Sequence, residues 1–169
     1  MRALETRFSV PQSPDQVWSV LIDYPSYHRW NSFMREASGE VGVGKKLKIR
    51  VYLSSGSKMS FKPKLLVVDK DRELRWMGHL IVNGLFDGEH YWALSRNARG
   101  GTDIVHGENF KGLLVGVIKP ERLKGDYERM NRDLAAEIAR RYPVSTGAGV
   151  APRSASKTGP ALDSRPRGA

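Results

Sequence analysis

The chain contains no cysteine. That excludes a disulfide framework, a cysteine-held metal centre and a thiol nucleophile, and it fits a reducing compartment. No apolar run approaches the roughly 20 residues that a membrane-spanning helix needs. The segment from Met1 to Pro11 lacks the apolar core of a signal peptide and alternates like a strand, so a cytoplasmic location is expected. Two glycines between Glu40 and Gly44 do not make a phosphate loop, because neither a Gly-Lys-Ser/Thr ending nor a helix follows. The absence of a Gly-x-Ser-x-Gly elbow argues against a serine hydrolase.

What the chain has in excess is positive charge. With 28 Lys and Arg against 18 Asp and Glu, the net charge is +10. The body up to Tyr142 carries +7. The remaining +3 lies after Pro143, on Arg153, Lys157, Arg165 and Arg167 against Asp163. Such a balance raises the question of an RNA or anionic-lipid partner. No nucleic-acid motif accompanies it, and lysine-rich outer strand faces are the simpler account, so nucleic acid is not the expected partner.

At 169 residues one domain is expected. Its C-terminal boundary is compositional. Residues 143–169 are rich in Pro, Gly, Ser, Ala and Arg and have almost no large apolar side chains, so a flexible basic tail is expected there. The domain itself spans residues 1–142. Leu4 to Val10 alternates as a first strand. Ser13 and Pro14 then form a helix start, and Val17, Trp18, Leu21 and Ile22 supply one apolar face. Pro25 breaks that helix and a second short helical turn follows. Lys45–Leu53, Lys58–Val68, Glu73–Leu80, Glu89–Ser95 and Thr102–Phe110 read as strands. Pro63 suggests an edge or bulge in the second of these.

Last comes a long helix, expected over about Leu113 to Arg141. Whether the Leu113–Ile118 run is helical up to Pro120, with a kink there, is left open. Leu123, Tyr127, Met130, Leu134 and Ile138 recur on one helical face. Arg122, Asp126, Arg129, Asp133, Glu137, Arg140 and Arg141 fall mostly elsewhere and are expected in solvent. A single apolar stripe of this length needs a wide apolar partner surface. The expected fold is therefore α+β: a curved antiparallel sheet of about six to seven strands wrapped around one long C-terminal helix, with two short helices after the first strand.

Several stretches carry a family resemblance: WNSF at Trp30–Phe33, Arg72-Glu-Leu with Trp76, GLFDGEH at Gly84–His90, HGENFKGLL at His106–Leu114, and MNRDLA in the last helix. Together the chain resembles the START-like (SRPBCC) superfamily, in its polyketide cyclase/dehydrase and lipid-transport branch, over residues 1 to about 142. The resemblance implies a helix-grip fold with a deep apolar cavity between sheet and helix. It implies binding of lipids, sterols, polyketides or other hydrophobic molecules, and catalysis in a minority of members. The group has no universal catalytic motif, so no catalytic residue carries over.

Strand parity selects the cavity lining. If Leu94 faces the helix, so do Trp92 and His90. If Ile104 faces it, so do His106, Glu108 and Phe110. Leu47, Ile49, Met59, Phe61, Leu74 and Trp76 extend the wall, Trp30 and Asn31 could reach the rim, and Tyr127 belongs to the helix stripe. The expected ligand-binding set is Trp30, Asn31, Phe61, Trp76, His90, Trp92, Phe110 and Tyr127. Trp18 is expected in the core. His28, His79, Arg35 and Glu36 read as surface or rim residues.

Three uses of the polar minority compete. His90, His106 and Glu108 could satisfy one another or buried water. A histidine could anchor a ligand carbonyl or hydroxyl. His106 and Glu108 could act as an acid–base pair in a polyketide cyclisation or dehydration. Apolar burial would raise the Glu108 pKa and lower those of the histidines, giving a neutral pair at pH 7. A two-histidine, one-carboxylate metal set is formally present, but alternate strand positions give these residues at metal-free cavities too. No metal and no cofactor is expected. The leading function is binding of a hydrophobic small molecule. The alternatives are a polyketide cyclase/dehydratase, and a basic adaptor that contacts RNA or anionic lipid through Lys46, Lys48, Arg50, Lys58, Lys62 and Lys64.

Overall fold

The first strand, β1 (Arg2–Val10), pairs along its whole length with the last, β8 (Thr102–Lys111), and this antiparallel register closes the chain on itself. A computed structural model describes residues 1–79, 84–118 and 120–144. Helix α1 (Pro14–Leu21) follows β1. Pro14 opens it, and the Gln16 side chain accepts from the Ser13 backbone N–H at 3.1 Å. Val17, Trp18, Val20 and Leu21 are buried. A 3₁₀ turn at Tyr24–Ser26, carrying Pro25, leads into the single turn of α2 (Tyr27–Trp30).

Strands β2 (Glu36–Ser38), β3 (Lys48–Tyr52) and β4 (Lys58–Phe61) form one ladder. Strands β5 (Lys64–Asp69), β6 (Glu73–His79) and β7 (Asp87–Arg96) join β8 and β1 in a second, in the order β1-β8-β7-β6-β5. The expected strand from Lys58 to Val68 is thus two strands in two sheets. Pro63 lies at the break, where its missing N–H removes a ladder bond. The junction is still hydrogen-bonded. Lys46 bridges Lys64, the Leu47 N–H donates to the Pro63 carbonyl at 2.9 Å, and the Leu65 N–H donates to the Lys45 carbonyl at 2.8 Å. Parity survives the break: Pro63 and Leu65 are buried and Met59 and Phe61 half-buried, all on one side, while Lys58, Ser60, Lys62 and Lys64 are exposed. The result is one bent wall of eight strands.

The final helix, α4, spans Lys124–Arg141, 18 residues. It is shorter than expected. Ahead of it stand a four-residue helical turn, α3 (Val115–Ile118), and a 3₁₀ turn (Pro120–Leu123). Tyr127, Met130, Leu134 and Ile138 are buried against the wall as the stripe required. The expectation that Asp126 and Glu137 lie in solvent is corrected, since both are buried. Asp126 accepts from the Ser54 N–H at 3.1 Å and pairs with Arg129 at 3.0 Å. Glu137 pairs with Arg140 and Arg141 at 2.7 Å each. These carboxylates are buried because each has a partner, which is what burial of a charge requires. Half-buried Asp133 accepts from the Ser32 N–H at 2.9 Å and fastens α4 to the segment after α2. The proposed flexible tail lies almost wholly outside the described residues, as does Leu80.

Leu134 is fully buried at the centre of the α4 contact. Leu134→Ala is expected to destabilise the fold by about 2–5 kcal/mol in chemical denaturation. Exposed Arg132→Ala is expected to stay within about 0.5 kcal/mol. Equal effects from the two would mean that α4 does not close the core.

Candidate functional site

Two cross-strand rows define the site. Register places Leu4, Glu108, His90 and Trp76 side by side across β1, β8, β7 and β6. The next row holds Thr6, His106, Trp92 and Leu74. Inward parity buries the histidines and tryptophans of both rows. Each histidine stacks on its cross-strand tryptophan. The His90 and Trp76 rings lie 4.4 Å apart at 8°, and those of His106 and Trp92 lie 3.6 Å apart at 7°. Tyr127 of α4 covers the other face of His106, with centroids 4.6 Å apart at 14°.

Stacking leaves only ring edges free for hydrogen bonds, and every imidazole nitrogen has a partner. His106 Nδ1 meets Asn131 Oδ1 at 2.6 Å, and His106 Nε2 meets His90 Nε2 at 3.1 Å. His90 Nδ1 meets the Tyr127 hydroxyl at 3.2 Å, and that hydroxyl also contacts Glu108 Oε2. At the far end, Asn131 Nδ2 donates to Thr6 Oγ1 at 2.8 Å, and Thr6 Oγ1 donates to the His106 carbonyl at 3.0 Å. A continuous row of hydrogen bonds therefore runs from Thr6 to Glu108. Burial pushes the Glu108 carboxyl up to about 8 and the His90 imidazole down to about 3. His106 is held well below the ordinary histidine range by burial, with the neighbouring His90 adding to the effect.

A cavity of about 80 Å³ lies between the bent wall and α4. Its apolar lining includes Phe33, Met34, Ile49, Phe61, Phe86 and Leu123. Glu108, Tyr127 and His90 are its polar lining side chains. Of the sequence-predicted residues, Phe61, Trp76, His90, Glu108, Phe110 and Tyr127 surround it. Trp92 and His106 do not. They occupy the row behind, and Tyr127 stands between His106 and the helix side, which corrects the expectation that both line the cavity. Trp30 and Asn31 also lie outside the lining. The Trp30 indole donates to Ser26 Oγ at 3.2 Å, and Asn31 Oδ1 accepts from the Phe33 and Met34 N–H groups at 3.1 and 2.6 Å. Asn31 therefore shapes the turn that presents Phe33 and Met34.

Parity missed the residues that come from outside the strands, namely Phe33, Met34, Phe86 and Leu123. It also missed Asn131, although a polar residue four positions after Tyr127 on the apolar stripe was a signal. Among the described residues no group of three or more His, Cys, Asp or Glu is placed to hold a metal ion. Lys46, Lys48, Arg50, Lys58, Lys62 and Lys64 are all exposed on the opposite face of the wall. No described helix is long and apolar enough to cross a membrane.

The family described as polyketide cyclase / dehydrase and lipid transport matches residues 1–139, and the chain belongs to it. Protein MLL2253 from Mesorhizobium loti is 13% identical, with a TM-score of 0.66, and the match covers 85% of this chain and 100% of that one. A START superfamily protein from Mycobacterium smegmatis is 12% identical, with a TM-score of 0.66 over 82% of this chain and 98% of that one. The di-domain ARO/CYC StfQ from the steffimycin biosynthetic pathway is 11% identical, with a TM-score of 0.65 over 82% of this chain and 50% of that one. At these identities the likeness establishes a START-like fold. None of the curated proteins matches.

The raised Glu108 pKa carries a stability signature. The folded carboxyl keeps its proton up to about pH 8, whereas an unfolded one loses it near 4.5. The native state thus holds an extra proton across that window, and stability falls as pH rises through it. The buried histidines act in the opposite sense, and only below about pH 6.5, where the unfolded rings bind protons that the folded rings refuse. Between pH 6.5 and 8 only Glu108 of these three groups contributes. Denaturation midpoints are expected to report a loss of roughly 1–2 kcal/mol across that interval. Glu108→Gln is expected to flatten the slope; an unchanged slope would show that the carboxyl ionises normally.

Proposed function

We propose that this member of the polyketide cyclase/dehydrase and lipid-transport family binds a hydrophobic small molecule, lipid or polyketide-like, in the cavity between the bent sheet and α4. The supporting observation is the cavity's composition, with apolar walls and a polar group of Glu108, Tyr127 and His90. That pattern suits an apolar ligand oriented by a few hydrogen bonds. The volume of about 80 Å³ is small beside the roughly 300–1,000 Å³ of most ligand pockets. As it stands the cavity takes a ring or a short chain, and a larger ligand requires its walls to move.

Gly78 offers a direct test. It lines the cavity on the inward face of β6, and an added Cβ would meet its nearest neighbour, Pro63 Cβ, at an ordinary 3.8 Å. The Cβ of a replacement is therefore accommodated, and Gly78→Leu is expected to extend into the cavity and fill it. Titration with an environment-sensitive apolar fluorophore should show at least tenfold weaker uptake by the variant, with an unchanged or higher melting temperature. Equal uptake by both proteins would remove the cavity from the proposal.

The hydrogen-bonded row favours a second reading, in which the protein is a cyclase or dehydratase. There the Glu108 carboxyl turns its O–H from Tyr127 toward a bound polyketide-like substrate and donates the proton, and His90 communicates with it through Tyr127. His106 serves as a positioning residue for His90, rather than as the partner of Glu108. Glu108→Gln is expected to abolish turnover of a poly-β-keto substrate while retaining fluorophore binding. Turnover that survives in Glu108→Gln would rule out this acid role.

A further inference from the structure

The direction of each hydrogen bond in the row follows from one end. The backbone carbonyl of His106 only accepts, so the Thr6 hydroxyl directs its single proton there. Thr6 Oγ1 can then only accept from Asn131. That places the amide Nδ2 at Thr6 and turns the amide Oδ1 toward His106. His106 must carry its proton on Nδ1. Being neutral, it has a bare Nε2, and the donor across the 3.1 Å contact is His90 Nε2. His90 therefore presents a bare Nδ1, which takes the Tyr127 proton. With that proton committed, the contact between Tyr127 and Glu108 Oε2 closes only if Glu108 supplies the hydrogen. The row ends at the cavity in a neutral carboxylic acid with its hydroxyl on Oε2, a state that burial also favours.

The other carboxyl oxygen remains. Glu108 Oε1 makes no hydrogen bond among the described residues, and the side chain keeps 17% exposure. The oxygen rests in a notch over Gly88, where any Cβ would collide with it, and both residues line the cavity. Oε1 of a neutral acid is a carbonyl oxygen, which accepts and does not donate. None of the described residues lining the cavity is Lys or Arg. A ligand carboxylate would meet this oxygen with like polarity and find no cation.

We propose that the cavity takes an uncharged apolar molecule bearing a hydroxyl, whose O–H donates to Glu108 Oε1, in preference to an apolar carboxylate. This rests on the cavity reading above and names its ligand class. Three single-ring probes of similar shape separate the two claims: p-xylene, p-cresol and p-toluate, titrated calorimetrically at pH 7. The wild type is expected to bind p-xylene and p-cresol, with p-toluate at least tenfold weaker than p-cresol. In Glu108→Leu the ratio of p-cresol to p-xylene affinity should fall at least fivefold, because the ligand hydroxyl loses its acceptor. In Glu108→Gln, which keeps an oxygen for the ligand and an N–H for Tyr127, the ratio should stay within twofold. If p-xylene binds and the ratio is unchanged in Glu108→Leu, the hydroxyl assignment fails while the cavity reading stands. If neither neutral probe binds the wild type, both fail. Should Glu108→Leu not fold, p-toluate binding as tightly as p-cresol to the wild type overturns the assignment by itself.

Discussion

Two imidazoles sit inside the sheet wall, away from bulk water and without a charge to balance, and much of the site follows from that constraint. A buried polar group left unpaired costs about 1–3 kcal/mol. His90 and His106 together present four ring nitrogens, and all four are partnered within the row from Asn131 to Tyr127. Trp76, Trp92 and Tyr127 cover ring faces, which keeps water from competing for those edges. Each neutral ring needs a donor on one side and an acceptor on the other, so the row has a single direction. That direction is why the acid at the cavity end holds its proton. The chemistry facing a ligand is therefore set some distance away, where a threonine hydroxyl meets a backbone carbonyl.

The cavity itself depends on the bend in the wall. A flat sheet would let α4 press onto all strands equally and leave little between them. Pro63 interrupts the ladder, and the Lys46 to Lys64 bridge holds the two sheets at the junction. Met59 and Phe61 thus belong to one sheet and Leu65 to the other, yet all keep the same inward parity. Phe61, Pro63 and Gly78 meet around the cavity at this junction. Gly78 contributes by having no side chain there, so the volume of the cavity is partly a property of one residue type at one strand position.

Strand parity made the inward face legible from the sequence. It identified Phe61, Trp76, His90, Glu108 and Phe110, all of which surround the cavity, and the helical stripe identified Tyr127. Parity assigns a residue to a face but not to a depth behind that face. Trp92 and His106 share the inward side with His90 and Glu108, and they lie behind because Tyr127 packs across their row. That contact depends on where α4 begins. Two short turns stand before Lys124, where the helix was expected to begin near Leu113 with a kink at Pro120 left open, and no periodicity in the Leu113–Ile118 run fixed the break in advance. Asp126 and Glu137 were assigned to solvent because charge normally is. Their burial rests on partners distant in sequence or on neighbouring arginines, which a helical wheel does not weigh.

The excess of basic residues speaks to a different scale of interaction. A net charge of +10 creates an outer field that draws anions toward the surface. Between exposed charges that field decays over roughly 8–10 Å in physiological salt. Inside the cavity the balance reverses. An entering anion surrenders its hydration, which costs far more than the screened surface attraction returns unless a cation or several donors wait within. Here the lining offers a protonated acid whose hydrogen already points at Tyr127. Surface charge can therefore govern how the protein meets its surroundings while saying nothing about what it encloses, and the proton on Glu108 discriminates where the field of the lysines does not.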